Sequence, residues 1–272
     1  MGPQHPGEMP KPPIPGVQYL IAVGSGKGGV GKTTIAVNLA ISMVSTGRRV
    51  GLLDADVYGP NVPLMMGAHA QPFAVQDRIQ PLTSFGVKLM SMGFLNPGDK
   101  PLIWRGPMLH SVVQQFLFGV EWGGLDYLVI DLPPGTGDVQ LSLIQNAPLS
   151  GAIVVTTPSD VSLEDARKAV NMFQQVRVPV LGIVENMSYL IAPRSGERID
   201  VFGYGGGKKV AGDMNVPFLG ELPLDPQVRI GGDSGNPVAL QDSTAFHALA
   251  ETVLTLLNAR GAPKLPTLEI TD

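Results

Sequence analysis

A chain of 272 residues, 44% apolar and 15% charged, is long enough to bury a core of its own. Its formal net charge of -4 lacks the basic surplus by which proteins hold a nucleic-acid backbone, and it holds no cysteine, so disulfides, catalytic thiols and thiolate metal sites are excluded. No stretch approaches the ~20 apolar residues of a membrane span and the start MGPQHPGEMPKPP has no apolar signal core, so no membrane partner and a cytoplasmic location are expected.

Residues 1–16 carry six prolines and little apolar periodicity, which predicts a disordered arm. From residue 17 short apolar runs alternate with helix-like segments, the pattern of an α/β fold with a mostly parallel central sheet and helices on both faces. Strands are expected at 19–23, 50–53, 87–92, 127–130, 153–156, 180–185 and 218–222, mostly continuous apolar runs of the kind buried on both faces. Helices are expected at 33–45, 108–118, 139–146, 163–176, 208–214 and 244–258. Ser162, three residues before Asp165, reads as a capping-box variant, and Gly47 closes the first helix. Residues 59–107, rich in Pro, Gly and Met, read as a partly irregular insertion, and 261–272 as a flexible tail. One domain over 17–260 follows.

The segment Gly26-Lys27-Gly28-Gly29-Val30-Gly31-Lys32-Thr33 fits the G-x-x-x-x-G-K-[ST] pattern between a predicted strand and a predicted helix. Its glycines let successive N–H groups converge on phosphates at a helix N-terminus, Lys32 brings charge to the terminal phosphates, Thr33 offers a hydroxyl to Mg²⁺, and Thr34 reaches an inner phosphate. Lys27 stands where a simple phosphate cradle needs no charge.

Asp54 and Asp56 end the second strand and enter a turn at the carboxyl edge of the sheet, where ligands of open α/β sheets bind. Asp56 is expected to orient the attacking water, with Asp54 in support and in contact with Mg²⁺. The run Tyr127 to Ile130 ends in Asp131, the pattern of a strand whose carboxylate holds a magnesium-bound water. Leu132-Pro133-Pro134-Gly135-Thr136-Gly137-Asp138 reads as a switch loop that brings the Gly135 N–H to the terminal phosphate. Asn186 ends a further strand with an amide able to read a base edge.

The strings GSGKGGVGKTT from Gly24, LLDADVYGPNVPLMMG from Leu52, MSMGFL from Met90, WRGPM from Trp104, LDYLVIDLPPGTGDVQLSL from Leu125 and ENMSY from Glu185 together resemble the Mrp/ApbC/Nbp-type iron-sulfur cluster carrier ATPases, over residues 17 to 260. The loop resembles the deviant Walker A loop of the MinD/Mrp group, and the resemblance implies a homodimer with ATP and Mg²⁺ near its interface, Lys27 reaching the partner's phosphates, and assembly or client proteins as partners. It also implies a cluster held between subunits by a Cys-x-x-Cys pair after the ENMS string. Here those positions are Ala192 and Ser195: alanine has no ligating atom and serine is a hard ligand for soft cluster iron. The histidines, His5, His69, His110 and His247, lie far from them in sequence and read as structural or surface residues.

The leading expectation is an ATP-binding, ATP-hydrolysing dimeric switch of that carrier family without its own cluster ligands. A MinD- or ParA-like positioning ATPase would need a basic amphipathic tail or basic face, whereas the end, Ala262 to Glu269, is broken by proline and nearly neutral. A nucleotide-locked scaffold with little turnover is the third alternative.

Overall fold

The computed structural model describes residues 11–95, 106–241 and 243–260. In chain order the elements are β1 (Val17–Gly24), α1 (Lys32–Ser45), β2 (Val50–Asp54), α2 (Val62–Met65), β3 (Phe73–Val75), β4 (Arg78–Gln80), β5 (Leu82–Ser84), β6 (Val87–Ser91) and α3 (Gly106–Gln114). There follow β7 (Leu125–Asp131), α4 (Asp138–Asn146), β8 (Gly151–Thr156), α5 (Asp160–Gln175), β9 (Val180–Glu185), β10 (Leu190–Ile191), β11 (Arg198–Ile199), α6 (Gly206–Asp213), β12 (Phe218–Glu221), α7 (Pro226–Asp233) and α8 (Thr244–Arg260).

The main sheet runs β12-β9-β8-β1-β7-β2-β6-β5, parallel throughout except for β5, which pairs antiparallel with β6. Successive side chains of a strand point to opposite faces, and here both faces are covered. Tyr19, Ile21 and Val23 of β1 join one core layer with Ile35, Leu39 and Met43 of α1 and Phe246, Leu249 and Val253 of α8. Leu20 and Ala22 join the other, with Ile144 of α4, Val170 and Phe173 of α5 and Val210 of α6. That division explains why the strands read as unbroken apolar runs; each fully buried large side chain contributes ~1.5–3 kcal/mol.

All seven expected strands and all six expected helices are present, with ends shifted by a few residues. The first helix stops at Ser45, and Gly47, with φ 81°, turns the chain in the left-handed region. The third expected helix, 139–146, is α4, and the second is split, α3 being followed by a π-helical turn over Gln115–Gly119.

Four differences have physical causes. Ser162 is not a cap: α5 starts at Asp160 after Ser159, and Ser162 is buried, accepting from the Thr157 hydroxyl at 2.7 Å and the Ser159 hydroxyl at 3.0 Å. The first polar turn concealed the true start. The insertion is more regular than its composition implies, holding α2, the β3–β4 hairpin and the antiparallel edge strand β5. Helix α7 had no sequence counterpart, because Gly231 and Gly232 dilute its apolar stripe.

The arm, finally, is anchored from Lys11 onward. Ile14 is 3% exposed within the core, the Leu125 N–H donates to the Gly16 carbonyl, and Lys11 Nζ donates to the Ile144 and Ala147 carbonyls at the end of α4. A lysine there complements the negative end of the helix dipole. The expectations for residues 1–10, for Trp104 of WRGPM and for 261–272 lie outside the described residues. Among those described, no helix is long and apolar enough to cross a membrane.

The anchoring of Ile14 predicts that Ile14→Ala costs about 2–5 kcal/mol of stability, read as a lower urea midpoint at unchanged slope.

Candidate nucleotide site

Four loops meet at the carboxyl edge of the sheet: the P-loop after β1, residues 55–61 after β2, 132–137 after β7, and the turn after β9. The P-loop leaves no room for side chains at two positions. A Cβ on Gly26 would lie 2.0 Å from the Asp165 carbonyl oxygen, and one on Gly31, at φ 84°, would lie 2.2 Å from Asn186 Nδ2. The Ser25 hydroxyl closes the turn onto the Lys27 carbonyl at 2.8 Å, and α1 begins with the Ile35 N–H bonded to Gly31.

Beneath this cradle sits a charged cluster. Lys32, 5% exposed, donates to Asp131 Oδ1 at 2.6 Å and lies 3.7 Å from Asp56 Oδ2. The Thr33 hydroxyl donates to Asp131 Oδ2 at 2.6 Å. Asp56 Oδ1 accepts from the N–H groups of Tyr58 and Gly59, fixing its own turn. Lys32, Thr33, Asp56 and Asp131 are thus brought together as expected from 99 residues of separation between the most distant pair, Lys32 and Asp131.

Asp54 departs from its expected role as a metal ligand. It is fully buried: Oδ1 accepts from the Asp56 N–H at 3.1 Å, and Oδ2 from the Val62 N–H at 3.2 Å and the Ser91 hydroxyl at 2.8 Å. Both oxygens are committed to protein donors. Burial, and secondarily the Asp131 charge, push its pKa up to about 8; burial raises Asp131 as well, with Lys32 pulling it back.

A cavity of about 390 Å³ spans Lys27, Gly28, Gly29, Lys32, Thr33, Thr34, Asp56 and Pro134. A second, of about 450 Å³, shares Thr33, Thr34 and Asn61 with it and continues past Asn186, Met187, Leu224, Asp225 and Arg229. The first suits phosphates and the second a nucleoside. A larger cavity of about 590 Å³ lies away from the P-loop, among Ile14, Arg49 and Pro148, and its one cation, Arg49, is already paired with Asp126 at 2.7 Å. It has no phosphate-binding chemistry.

Lys27 is half-buried at the rim of the first cavity and makes no ion pair among the described residues. Val30, whose side chain is buried, offers its carbonyl to Asn186 Nδ2 at 2.9 Å, so Asn186 braces the P-loop and keeps its Oδ1 for other partners. The Gly135 N–H, expected on a phosphate, donates here to the Ser25 carbonyl at 3.0 Å. The nucleoside-side wall from α7 was missed in sequence, although Asp225 followed by Pro226 is a helix-start signal: Asp225 Oδ1 accepts the Gln227 N–H. Ala192 and Ser195 lie on the exposed β10–β11 hairpin, closed by the Ala192 N–H to Glu197 and the Gly196 N–H to Ala192.

Residues 16–257 match the family described as ParA, NUBPL iron-transfer P-loop NTPase. The chain belongs to that family. It is 51% identical over 263 residues to the iron-sulfur cluster carrier protein of Deinococcus radiodurans, covering 94% of this chain and 75% of the relative. It is 47% identical over 241 residues to the mouse iron-sulfur cluster transfer protein NUBPL, covering 88% and 76%. Among solved structures, the nucleotide-binding protein of Archaeoglobus fulgidus in complex with ADP superposes with a TM-score of 0.74 at 35% identity, over 86% of this chain and 92% of that one. The cell-division ATPase MinD of Pyrococcus furiosus, at TM-score 0.63 and 24% identity, shares the fold. The resemblance drawn from the motifs therefore holds, and this family member is an iron-sulfur carrier-type P-loop NTPase with no cysteine at positions 192 and 195.

The raised Asp54 pKa sets a pH dependence. The folded chain keeps a proton that the unfolded chain releases at its ordinary value of 3.8, so the stability of the nucleotide-free protein declines as pH rises from there toward about 8. Asp54→Asn flattens that decline in urea titrations run across the range.

Proposed function

We propose that this family member binds ATP with Mg²⁺ at the P-loop and hydrolyses it as a homodimer, so that its nucleotide state governs an interaction with iron-sulfur assembly or client proteins. The observation that carries the reading is the convergence of Lys32, Thr33, Asp56 and Asp131 beside a cavity lined by the P-loop residues Lys27, Gly28, Gly29, Gly31, Lys32 and Thr33. Support comes from the ADP-bound relative of Archaeoglobus fulgidus and from the carrier and transfer proteins in the family.

The donor set fits a divalent cation. Two carboxylates, Asp56 and Asp131, stand against a single ammonium, that of Lys32, so a further positive charge is welcome. The Thr33 hydroxyl and, through water, Asp131 would hold Mg²⁺, which neutralises charge on the phosphate oxygens.

The chain's own groups then divide the work. The Gly26–Thr34 backbone cradles the phosphates, Thr34 reaches an inner one, and Lys32 exchanges Asp131 for the terminal phosphates. Asp56 orients the attacking water from the turn that its own carboxylate caps. Release of the Gly135 N–H from Ser25 frees it for the terminal phosphate, which makes residues 132–137 a switch. Lys27, without an ion-pair partner in its own chain among the described residues, crosses to the nucleotide of the second subunit. The base enters the 450 Å³ cavity beside Asn186.

An iron-sulfur cluster is cargo in this reading, and the β10–β11 hairpin offers it one methyl and one hydroxyl. The chain acts as a nucleotide switch in the carrier system without clamping the cluster at that hairpin.

Steady-state turnover with MgATP tests the catalytic assignment: Asp56→Ala lowers kcat by about 100-fold or more with ADP affinity retained. Unchanged turnover removes Asp56 from the chemistry. For the cargo, anaerobic iron and sulfide reconstitution leaves the protein without a stoichiometric cluster, whereas the double variant Ala192→Cys, Ser195→Cys retains iron and the associated visible absorbance. A cluster retained equally by the unaltered chain would refute this part.

A further inference from the structure

Ser91, Asp54 and Asp131 stand level with one another at the ends of three adjacent strands: Asp54 of β2 is the register partner of Ser91 on β6 and of Asp131 on β7. From this row we infer that Ser91 is a positioning residue for hydrolysis, holding Asp54 in the rotamer that fixes both ends of the loop carrying Asp56. The inference rests on the reading that Asp56 orients the attacking water.

Ser91 is fully buried, and its hydroxyl is used twice, donating to Asp54 Oδ2 at 2.8 Å and accepting the Gly93 N–H at 2.9 Å. It is the one side-chain donor to Asp54 among the described residues. Asp54 in turn binds both ends of the loop, the Asp56 N–H near its start through Oδ1 and the Val62 N–H just past its end through Oδ2. Between those two points the loop is held internally only by Asp56 itself, whose Oδ1 accepts from Tyr58 and Gly59.

The position of the Asp56 carboxylate near Lys32 is therefore set at one remove by Asp54 and at two by Ser91. Without the hydroxyl, Asp54 Oδ2 keeps a single donor, the Val62 N–H, and less holds its side chain in that rotamer. The loop ends then lose a common anchor while the P-loop, which touches none of these bonds, keeps its shape. A serine that merely filled space at the end of β6 would affect stability but not this loop in particular.

The test compares Ser91→Ala, Ser91→Thr and Ser91→Cys in the full chain by MgATP turnover and by amide hydrogen exchange. Ser91→Ala lowers kcat about tenfold while KM for MgATP moves by less than about threefold, and Ser91→Thr, which keeps the hydroxyl, recovers most of the loss. In the same variant the Asp56 and Val62 amides exchange about tenfold faster, and those of Val30 to Thr34 are unaltered. Adding Ser91→Ala to Asp54→Asn produces little further change in kcat, because both act through one carboxylate.

Unaltered exchange at Asp56 and Val62, or additive losses in the double variant, overturns the inference. Ser91→Cys, similar in size with a weaker donor, supplies the same readings if the alanine variant does not fold. If the unaltered chain fails to turn over ATP, the hydrolytic reading falls, while the exchange measurement still decides whether Ser91 anchors the loop.

Discussion

The ion pair between Lys32 and Asp131 is the constraint around which the carboxyl edge of the sheet is organised. Burying two charges is costly, and such a pair stands only where further hydrogen bonds satisfy it. Here the Thr33 hydroxyl takes the second Asp131 oxygen, and the Asp131 backbone carbonyl receives the Ala55 N–H. One residue thereby fastens the start of α1, the end of β7 and the loop after β2. The geometry that a nucleotide needs exists before it arrives, with a carboxylate occupying the lysine and threonine that phosphate and metal would claim. Binding is then an exchange of anions at fixed donors, which limits the reorganisation it demands.

Much of this was legible in sequence, because the glycine spacing, the flanking apolar runs and the aspartates at strand ends are all local signals. They located Lys32, Thr33, Asp56 and Asp131 correctly in one place. What escaped depends on tertiary register. Ser91 in MSMGFL resembles any serine before a glycine, and only the alignment of β6, β2 and β7 brings it to Asp54. Asp54 was assigned a metal because a carboxylate at a strand end is ambiguous until its burial is known. Asn186 looked free to read a base, yet half of its amide braces the Val30 carbonyl. The glycines of α7 hid a helix, and one isoleucine among six prolines, Ile14, was too weak a signal to announce that the arm is held down.

The hairpin that would carry cluster ligands keeps its shape by other means. Besides its backbone bonds, the Arg198 guanidinium lies 4.1 Å from the ring centre of Tyr189 and 5.2 Å from that of Tyr204, and pairs with Asp200 and Glu221. At its base Glu185 is buried, accepting from the Ser188 hydroxyl and from the Gly207 N–H at the start of α6. None of these side-chain contacts of Arg198 and Glu185 involves positions 192 or 195, where the Ala192 backbone closes the turn and the Ser195 hydroxyl accepts the Glu197 N–H. The P-loop cluster and the hairpin thus occupy separate parts of the fold, and the Arg198 and Glu185 contacts that brace the hairpin do not depend on the side chains at positions 192 and 195.

The anchoring of Lys11 has a mechanical consequence. Helix α4, nine residues or roughly 13 Å long, begins just after residues 132–137 and ends at the carbonyls that Lys11 holds. A rigid rod tethered at its far end converts movement of the near end into a pull on the tether. Lys11 and residues 132–137 thus sit at the two ends of one helix, so the anchored arm and the loop beside the P-loop share a single rigid support.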